Sequence, residues 1–472
     1  MTPAPFPLDA SEAEALTGGR WSGTTRSVVV HGASIDSRAV TPGCLFACLS
    51  GARVDGHEFA AAAVGDGAVL ILASRPVAVP APVLVVSDVA AALQALAVRF
   101  RARFTTARWI AVCGANGKTT TKELLAAACA GSGQPVHATK GNLNNHLGVP
   151  LTVLRTPADA AWCVIEIGTN APGEVAGLAP CAAPHVAVVT SIGPEHLEGF
   201  GDIAGVAREE CSVFAALPSD GSAFLGLHGL RGHGADISSI AGIARAAAGK
   251  RALTLLDDVD EATGCADLAV AGRTGELSVR LDTAAGSTEV ALLGSHNLAN
   301  AALAYHAAVA AGVAPAAALA GLSHALPVAG RLVPKACGDH LVLDDTYNAN
   351  PASMIAGLRV LANCPGRRLA VLGPMGELGA ALIEGHRAVG IEAKRLGLPL
   401  IVVAGRGALA GAERHIAEGY GAEAETVADR EAAIAAAKRR LAIGSTTVLV
   451  KASRSQGLEH VVAGLGAQEA RA

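Results

Sequence analysis

The sequence predicts an α/β fold of three domains: a central parallel sheet carrying a phosphate loop, flanked by an N-terminal α/β domain and a C-terminal Rossmann-like domain. Three observations predict it. The chain has 472 residues, too many for one hydrophobic core. Its apolar runs of four to six residues alternate with Ala-rich helical stretches, the pattern of parallel sheets buried on both faces. One glycine loop, GANGKTTTK at Gly114–Lys122, joins such a run to a helix.

The first domain is expected over residues 1–105. Short β-type runs at Ser27–Val30, Val69–Ala73 and Val83–Val86 are separated by Gly/Pro turns. A helix follows from Asp88, with Val89, Leu93, Leu96 and Phe100 at helical spacing. The second domain, 106–332, opens on the strand RWIAVCG and continues through Trp162–Ile167 and Val186–Val189. Its stretch from Ala266 to Leu293 alternates and carries turn residues, which predicts an antiparallel appendage. The third domain, 333–472, has strands at His340–Leu343, Leu369–Leu372, Leu400–Val403 and Thr447–Val450, with helices between them.

Composition excludes several classes. Hydrophobic residues make up 51% and charged residues 17%, which argues against disorder. Aromatics are only 3% and the net charge is −4, so neither base stacking nor a polyanion footprint is expected, and no nucleic-acid partner. Ten cysteines are scattered without a CxxC pair, and read as small buried hydrophobes in a reducing, cytoplasmic setting. The N-terminus MTPAPFPLDA lacks the features of a secretory signal, and no long uncharged apolar stretch suggests membrane insertion. A monomer is expected.

The glycine loop carries the chemistry. Glycines let backbone N–H groups turn toward phosphate oxygens, the helix start adds partial positive charge and Lys118 a full one. Gly114, Ala115, Asn116, Gly117, Lys118, Thr119 and Thr120 are therefore candidate ATP contacts, and the Thr119 hydroxyl a candidate Mg²⁺ ligand. A glycine turn capping an ordinary helix is the plainer alternative. The usual G-x-x-x-x-G-K-[ST] spacing would need glycine where Val112 stands.

That shortened loop, with Asn before its second glycine, resembles the Mur ligase family and its relative folylpolyglutamate synthase. Further segments resemble the same family in the same order: SIDSRAVTPGCLFACLSGARVDGHEFAAAA from Ser34, TKGNLNNHLGVPLTVL from Thr139, EIGTNAPGEV from Glu166, SIGPEHLEGF from Ser191, GSHNLANAALA from Gly294, LDDTYNANPASM from Leu343 and KASR from Lys451. YNANP is similar to the branch of the family that adds a dipeptide. The preceding amino-acid-adding ligase usually shows YAHTP there.

The resemblance implies a reaction. ATP phosphorylates the carboxylate of a UDP-N-acetylmuramoyl-tripeptide, the amine of D-alanyl-D-alanine attacks the acyl phosphate, and ADP and phosphate leave. It implies that the first domain binds the UDP-sugar near Ser37 and Arg38. Lys118, Glu166, His196 and Glu210 would be catalytic, with Thr119, Glu166 and His196 at Mg²⁺. Asn297 would read adenine, Asp345 the ribose, and Arg331 the phosphates on closure. Asn142, Asn145, Tyr347, Asn348, Lys451, Ser453 and Arg454 would serve the substrates. Histidine is not a favoured Mg²⁺ ligand, so a loop-orienting role for His196 stays open.

Three positions depart from the family. Many members carry a lysine, modified to a carbamate, where Glu210 stands. Glu210 is expected to supply a permanent carboxylate near the second Mg²⁺, or else to form a solvated acidic pair with Glu209. Pro374 stands where relatives usually have Asp, and Ala452 where they usually have Gly. The preceding amino-acid ligase, a folate polyglutamate ligase and a P-loop kinase or regulatory NTPase remain alternatives. YNANP together with the Asp36–Arg38 segment weighs against the first two, and no guanine-reading element follows the loop.

Overall fold

The computed structural model describes residues 2–23, 27–51, 54–228, 230, 236–257, 271–274 and 277–469. Each of its three main sheets lies in a different third of the chain. The central sheet has six parallel strands, ordered Ala252–Leu256, Ser222–Gly226, Val186–Val189, Arg108–Cys113, Trp162–Glu166 and Val136–Ala138. Alternate side chains of Arg108–Cys113 enter opposite cores. Trp109, Ala111 and Cys113 pack toward the N-terminal domain, and Ile110 and Val112 pack under the helices Lys118–Ala130 and Ser295–Ala311. The run is continuous in sequence because both faces are covered. The appendage is a three-stranded antiparallel sheet, Ala271–Thr274, Val279–Thr283 and Gly286–Val290. Residues 266–270, where it was expected to begin, lie outside the described residues, as does Cys265.

In the N-terminal domain a five-stranded sheet runs Arg20–Ser22, Val83–Val85, Leu70–Ala73, Leu45–Ala47 and Ala33–Ser34. The helix Val89–Arg101 starts where expected, with Asp88 accepting the Ala91 amide at 3.0 Å. Its last residue ties two domains together. Arg101 donates to the carbonyls of Ala182 (2.8 Å) and Ala183 (2.9 Å), and its guanidinium lies 4.4 Å from the Trp109 ring centre.

The C-terminal sheet has seven strands, ordered Glu425–Val427, Leu400–Val403, Arg367–Leu372, Thr446–Lys451, His340–Asp345, Val333–Cys337 and Gln468–Glu469. The first five run parallel, and Val333–Cys337 is antiparallel to both of its neighbours. Two cores line its faces, with Leu343, Leu372 and Val402 on one side and Val342, Val371 and Ile401 on the other. The three strands missing from the sequence reading are short edge strands, or, for Val333–Cys337, carry a proline and a lysine that mask the β pattern. None of the nine described cysteines forms a disulfide, and all but Cys337 are buried. Among the described residues no helix is long and apolar enough to cross a membrane.

Candidate active site

A cavity of about 370 Å³ opens at the C-terminal end of the central sheet, with the C-terminal domain as its opposite wall. Its floor is the glycine loop. Gly114 takes φ 120°, and a Cβ there would lie 2.4 Å from the Thr190 hydroxyl, so only glycine fits. The loop is propped from below. The Gly114 amide donates to Glu210 Oε2 at 2.7 Å, the Ala115 amide to the Ser191 carbonyl at 2.8 Å, and the Asn116 amide to Ser191 Oγ at 3.0 Å. These three amides shape the loop and are not open donors. Those of Lys118, Thr119 and Thr120, in the first turn of the helix Lys118–Ala130, have no intrahelical acceptor. The amides left open to an anion are therefore those at the helix start.

Lys118 lies across the loop. Its ammonium donates to the Gly114 and Ala115 carbonyls and stands 3.8 Å from Glu195 Oε2. Burial alone lowers a lysine pKa, yet Glu195, Glu210 and Glu166 together hold this one above its ordinary value. Glu166 ends the strand Trp162–Glu166, 1% exposed. Its Oε1 accepts the Thr119 hydroxyl (3.1 Å) and the Asn144 amide (2.7 Å), while its Oε2 is buried without a partner. An orphaned carboxylate oxygen beside a threonine hydroxyl is a hard-oxygen donor set that fits Mg²⁺. Among the described residues no three His, Cys, Asp or Glu side chains gather into a metal cage. Mg²⁺ suits such a sparse set because it keeps waters and takes phosphate oxygens. His196 lines the same cavity with a left-handed backbone, φ 44°.

The far wall comes from the C-terminal domain. Asp345 and Lys451 form a 2.8 Å ion pair, and Lys451 also donates to the Asn348 carbonyl at 2.9 Å. Arg331 donates to the Thr119 hydroxyl at 3.1 Å, with its guanidinium 4.3 Å from the Tyr347 ring centre. Asn297 is buried and donates to the Leu293 carbonyl at 2.9 Å. Asn142 lines the cavity as well.

Several expected site residues lie outside this cavity. Asn145 does not line the cavity; its side chain accepts the Leu147 and Gly148 amides and starts a helix. Asn144 is the residue on Glu166, and nothing in the run NLNN distinguishes it beforehand. Glu210 neither lines the cavity nor forms a solvated pair. It is fully buried under Gly114, and Glu209 is 7% exposed, accepting the Gly173 and Val175 amides. Ser453 and Arg454 stand behind the wall. Ser453 Oγ accepts the Gly376 amide at 2.7 Å, and the Arg454 side chain is 64% exposed. Ser37 and Arg38 lie on the N-terminal domain outside this cavity, where Arg38 makes a two-pronged contact with Asp36 at 2.9 and 2.7 Å. The sequence reading missed Glu195 and Asn350. Asn350 donates to Asn116 Oδ1 at 2.7 Å across the domain boundary. Both sit inside motifs already singled out, EHLEGF and YNANP, so their neighbourhood was visible though their partners were not.

A helix-mounted phosphate loop on a parallel sheet, faced by a second α/β domain, defines a three-domain nucleotide-binding architecture. Family models bear this out: the Mur ligase middle domain matches residues 112–308, the Mur ligase glutamate ligase domain residues 330–454, and the Mur ligase family catalytic domain residues 29–101. The chain is 35% identical over 441 residues to the UDP-N-acetylmuramoyl-tripeptide--D-alanyl-D-alanine ligase of Escherichia coli (strain K12), covering 93% of this chain and 94% of the relative. It is 35% identical over 480 residues to the protein of the same name in Mycobacterium bovis, covering 92% of each. Its fold is similar to that of MurF from Acinetobacter baumannii, with TM-score 0.84, 30% identity, and 98% of this chain and 99% of that one covered. The chain belongs to the Mur ligase family.

Proposed function

We propose that this ligase joins D-alanyl-D-alanine to a UDP-N-acetylmuramoyl-tripeptide with ATP, releasing ADP and phosphate, as a cytoplasmic monomer. The observation that carries this is the 35% identity to ligases of that name over 93% of the chain. The geometry agrees with it. An acid group must approach an anionic γ-phosphate, and the cavity gathers a buried ammonium, first-turn amides and two further cations, Arg331 and Lys451, around one space. In this reading residues 106–332 bind ATP, 1–105 hold the UDP-sugar with Ser37 and Arg38 near its diphosphate, and 333–472 receive the dipeptide.

Lys118 and the amides of Lys118–Thr120 bind and orient the phosphates. Asn297 borders the adenine and Asp345 the ribose. Thr119 and Glu166 would hold Mg²⁺, with His196 beside them. When bound, the ion supplies charge that screens carboxylate from phosphate. Arg331 turns from Thr119 toward the phosphates as nucleotide enters. The tripeptide carboxylate takes the γ-phosphoryl group, the dipeptide amine attacks the carbonyl carbon, and the C–O bond to phosphate breaks.

The test is ADP release with both substrates present and with each omitted in turn. Turnover should need ATP, the tripeptide and the dipeptide together, and Lys118→Ala should lower it by about 10²–10³. ADP release indifferent to the tripeptide would instead favour a regulatory NTPase.

A further inference from the structure

We infer that Glu377 is the carboxylate that receives the ammonium group of the incoming dipeptide; this rests on the reaction proposed above. Four carboxylates line the cavity: Glu166, Glu195, Asp345 and Glu377. The first three are engaged. Glu166 is held by Thr119 and Asn144, Glu195 faces Lys118, and Asp345 is paired with Lys451. Glu377 is exposed, makes no hydrogen bond or ion pair with any described residue, and lines the cavity on its C-terminal-domain side.

Its backbone is unusual in a way that points to use. Among the described residues four non-glycine positions have positive φ, and three of them, His196, Leu332 and Glu377, line this cavity. Glu377 sits at φ 61°, a conformation that costs a side-chain-bearing residue free energy and persists only where its surroundings enforce it. Those surroundings are present. Just before it, the Gly376 amide donates to Ser453 Oγ at 2.7 Å and the Met375 amide to His386 Nε2 at 2.9 Å. Just after it, Gly379 packs so closely on Glu198 that a Cβ there would lie 2.3 Å from Glu198 Oε1. The Glu377 loop is thus fixed against the segment carrying His196, with Glu198 adding negative charge beside it.

The chemistry names the ligand. The phosphate-loop side is cationic and suits anions. A dipeptide at neutral pH presents one cation, its α-ammonium. A carboxylate without a partner binds such a group through a charge-assisted hydrogen bond and positions the nitrogen, which gives up one proton to solvent before its lone pair attacks. That makes Glu377 an acceptor-binding residue, with specificity for a free amine.

The experiment uses the full chain and two variants. Glu377→Gln removes the charge at nearly constant shape. Glu377→Gly removes the carboxylate and also relieves the φ 61° strain, so its folding is not at risk. KM is measured for D-alanyl-D-alanine, ATP and the tripeptide, and acyl phosphate is trapped with hydroxylamine in the absence of dipeptide. The dipeptide KM should rise about tenfold or more in both variants, the loss of one charged hydrogen bond. The other two KM values and the trapping rate should stay within about twofold. An unchanged dipeptide KM overturns the inference, and so does a loss of trapping, which would give Glu377 to the nucleotide or the metal. Wild-type protein that consumes no dipeptide would bring down the proposed reaction and this inference together. Wild-type turnover with unaltered variants brings down the inference alone.

Discussion

The Glu210 carboxyl accepts the Gly114 amide at 2.7 Å from a fully buried position. Burial pushes its pKa far above the ordinary carboxylate range, Lys118 pulls it back, and Glu195 raises it again. Glu210 therefore supports the phosphate loop from beneath, through its bond to the Gly114 amide. Glu210→Gln should keep the acceptor for Gly114 and retain activity within a few-fold. Glu210→Ala leaves that amide unsatisfied and should cost about 1–3 kcal/mol of stability, read from denaturant midpoints. The sequence marked this position as unusual but could not give its direction, because one helical residue can face either cavity or loop. The same limit applied to Asn142, Asn144 and Asn145. Three like residues within four positions diverge only once the chain has turned, two of them onto the cavity and one onto a helix start.

The helix Lys118–Ala130 carries more than the phosphate loop. Lys122, one turn beyond Lys118 and fully buried, donates to the Thr139 carbonyl at 2.7 Å, and the Thr139 hydroxyl accepts the Glu166 amide at 2.9 Å. One helix thereby anchors the backbone beneath Glu166 while its hydroxyl at Thr119 touches the carboxylate. The partner helix Ser295–Ala311 holds His306, whose Nε2 is buried without a partner and whose pKa burial lowers from 6.5 to about 4. Between those values the unfolded chain binds the proton and the folded one does not. Stability from this group is whole above about pH 7 and falls as pH drops from 6.5 toward 4. Comparing unfolding midpoints of the native chain and His306→Gln should show the native chain losing ground in that window only. At this scale the sequence was most readable. Strands with both faces covered announce themselves as continuous apolar runs, so Val186–Val189 and Leu400–Val403 were found to the residue. Edge strands such as Glu425–Val427 bury too little to leave a pattern.

Across the whole molecule, the cavity depends on contacts between groups very distant in sequence. Arg331 meets Thr119 across 212 positions and Asn350 meets Asn116 across 234. The motifs placed both sides of the cleft in the right domains, but their pairing depends on how one domain rests on another, which local pattern does not encode. Arg331 holds the Thr119 hydroxyl and stacks on Tyr347, so Arg331→Lys should lose the planar stacking and the reach together. Steady-state kinetics should show the ATP KM rising several-fold with a lower kcat, while the unfolding midpoint moves little. Asn350 carries a further consequence. Its oxygen accepts the Ser353 amide at 2.8 Å and begins the helix Pro351–Asn363, while its nitrogen grips Asn116 in the neighbouring domain. Serine begins helices about as well but is too short to span the gap. A chain with Asn350→Ser should melt like the original yet scatter X-rays as a more open particle, because a single carboxamide serves both as keystone of a helix and as clasp of the jaw.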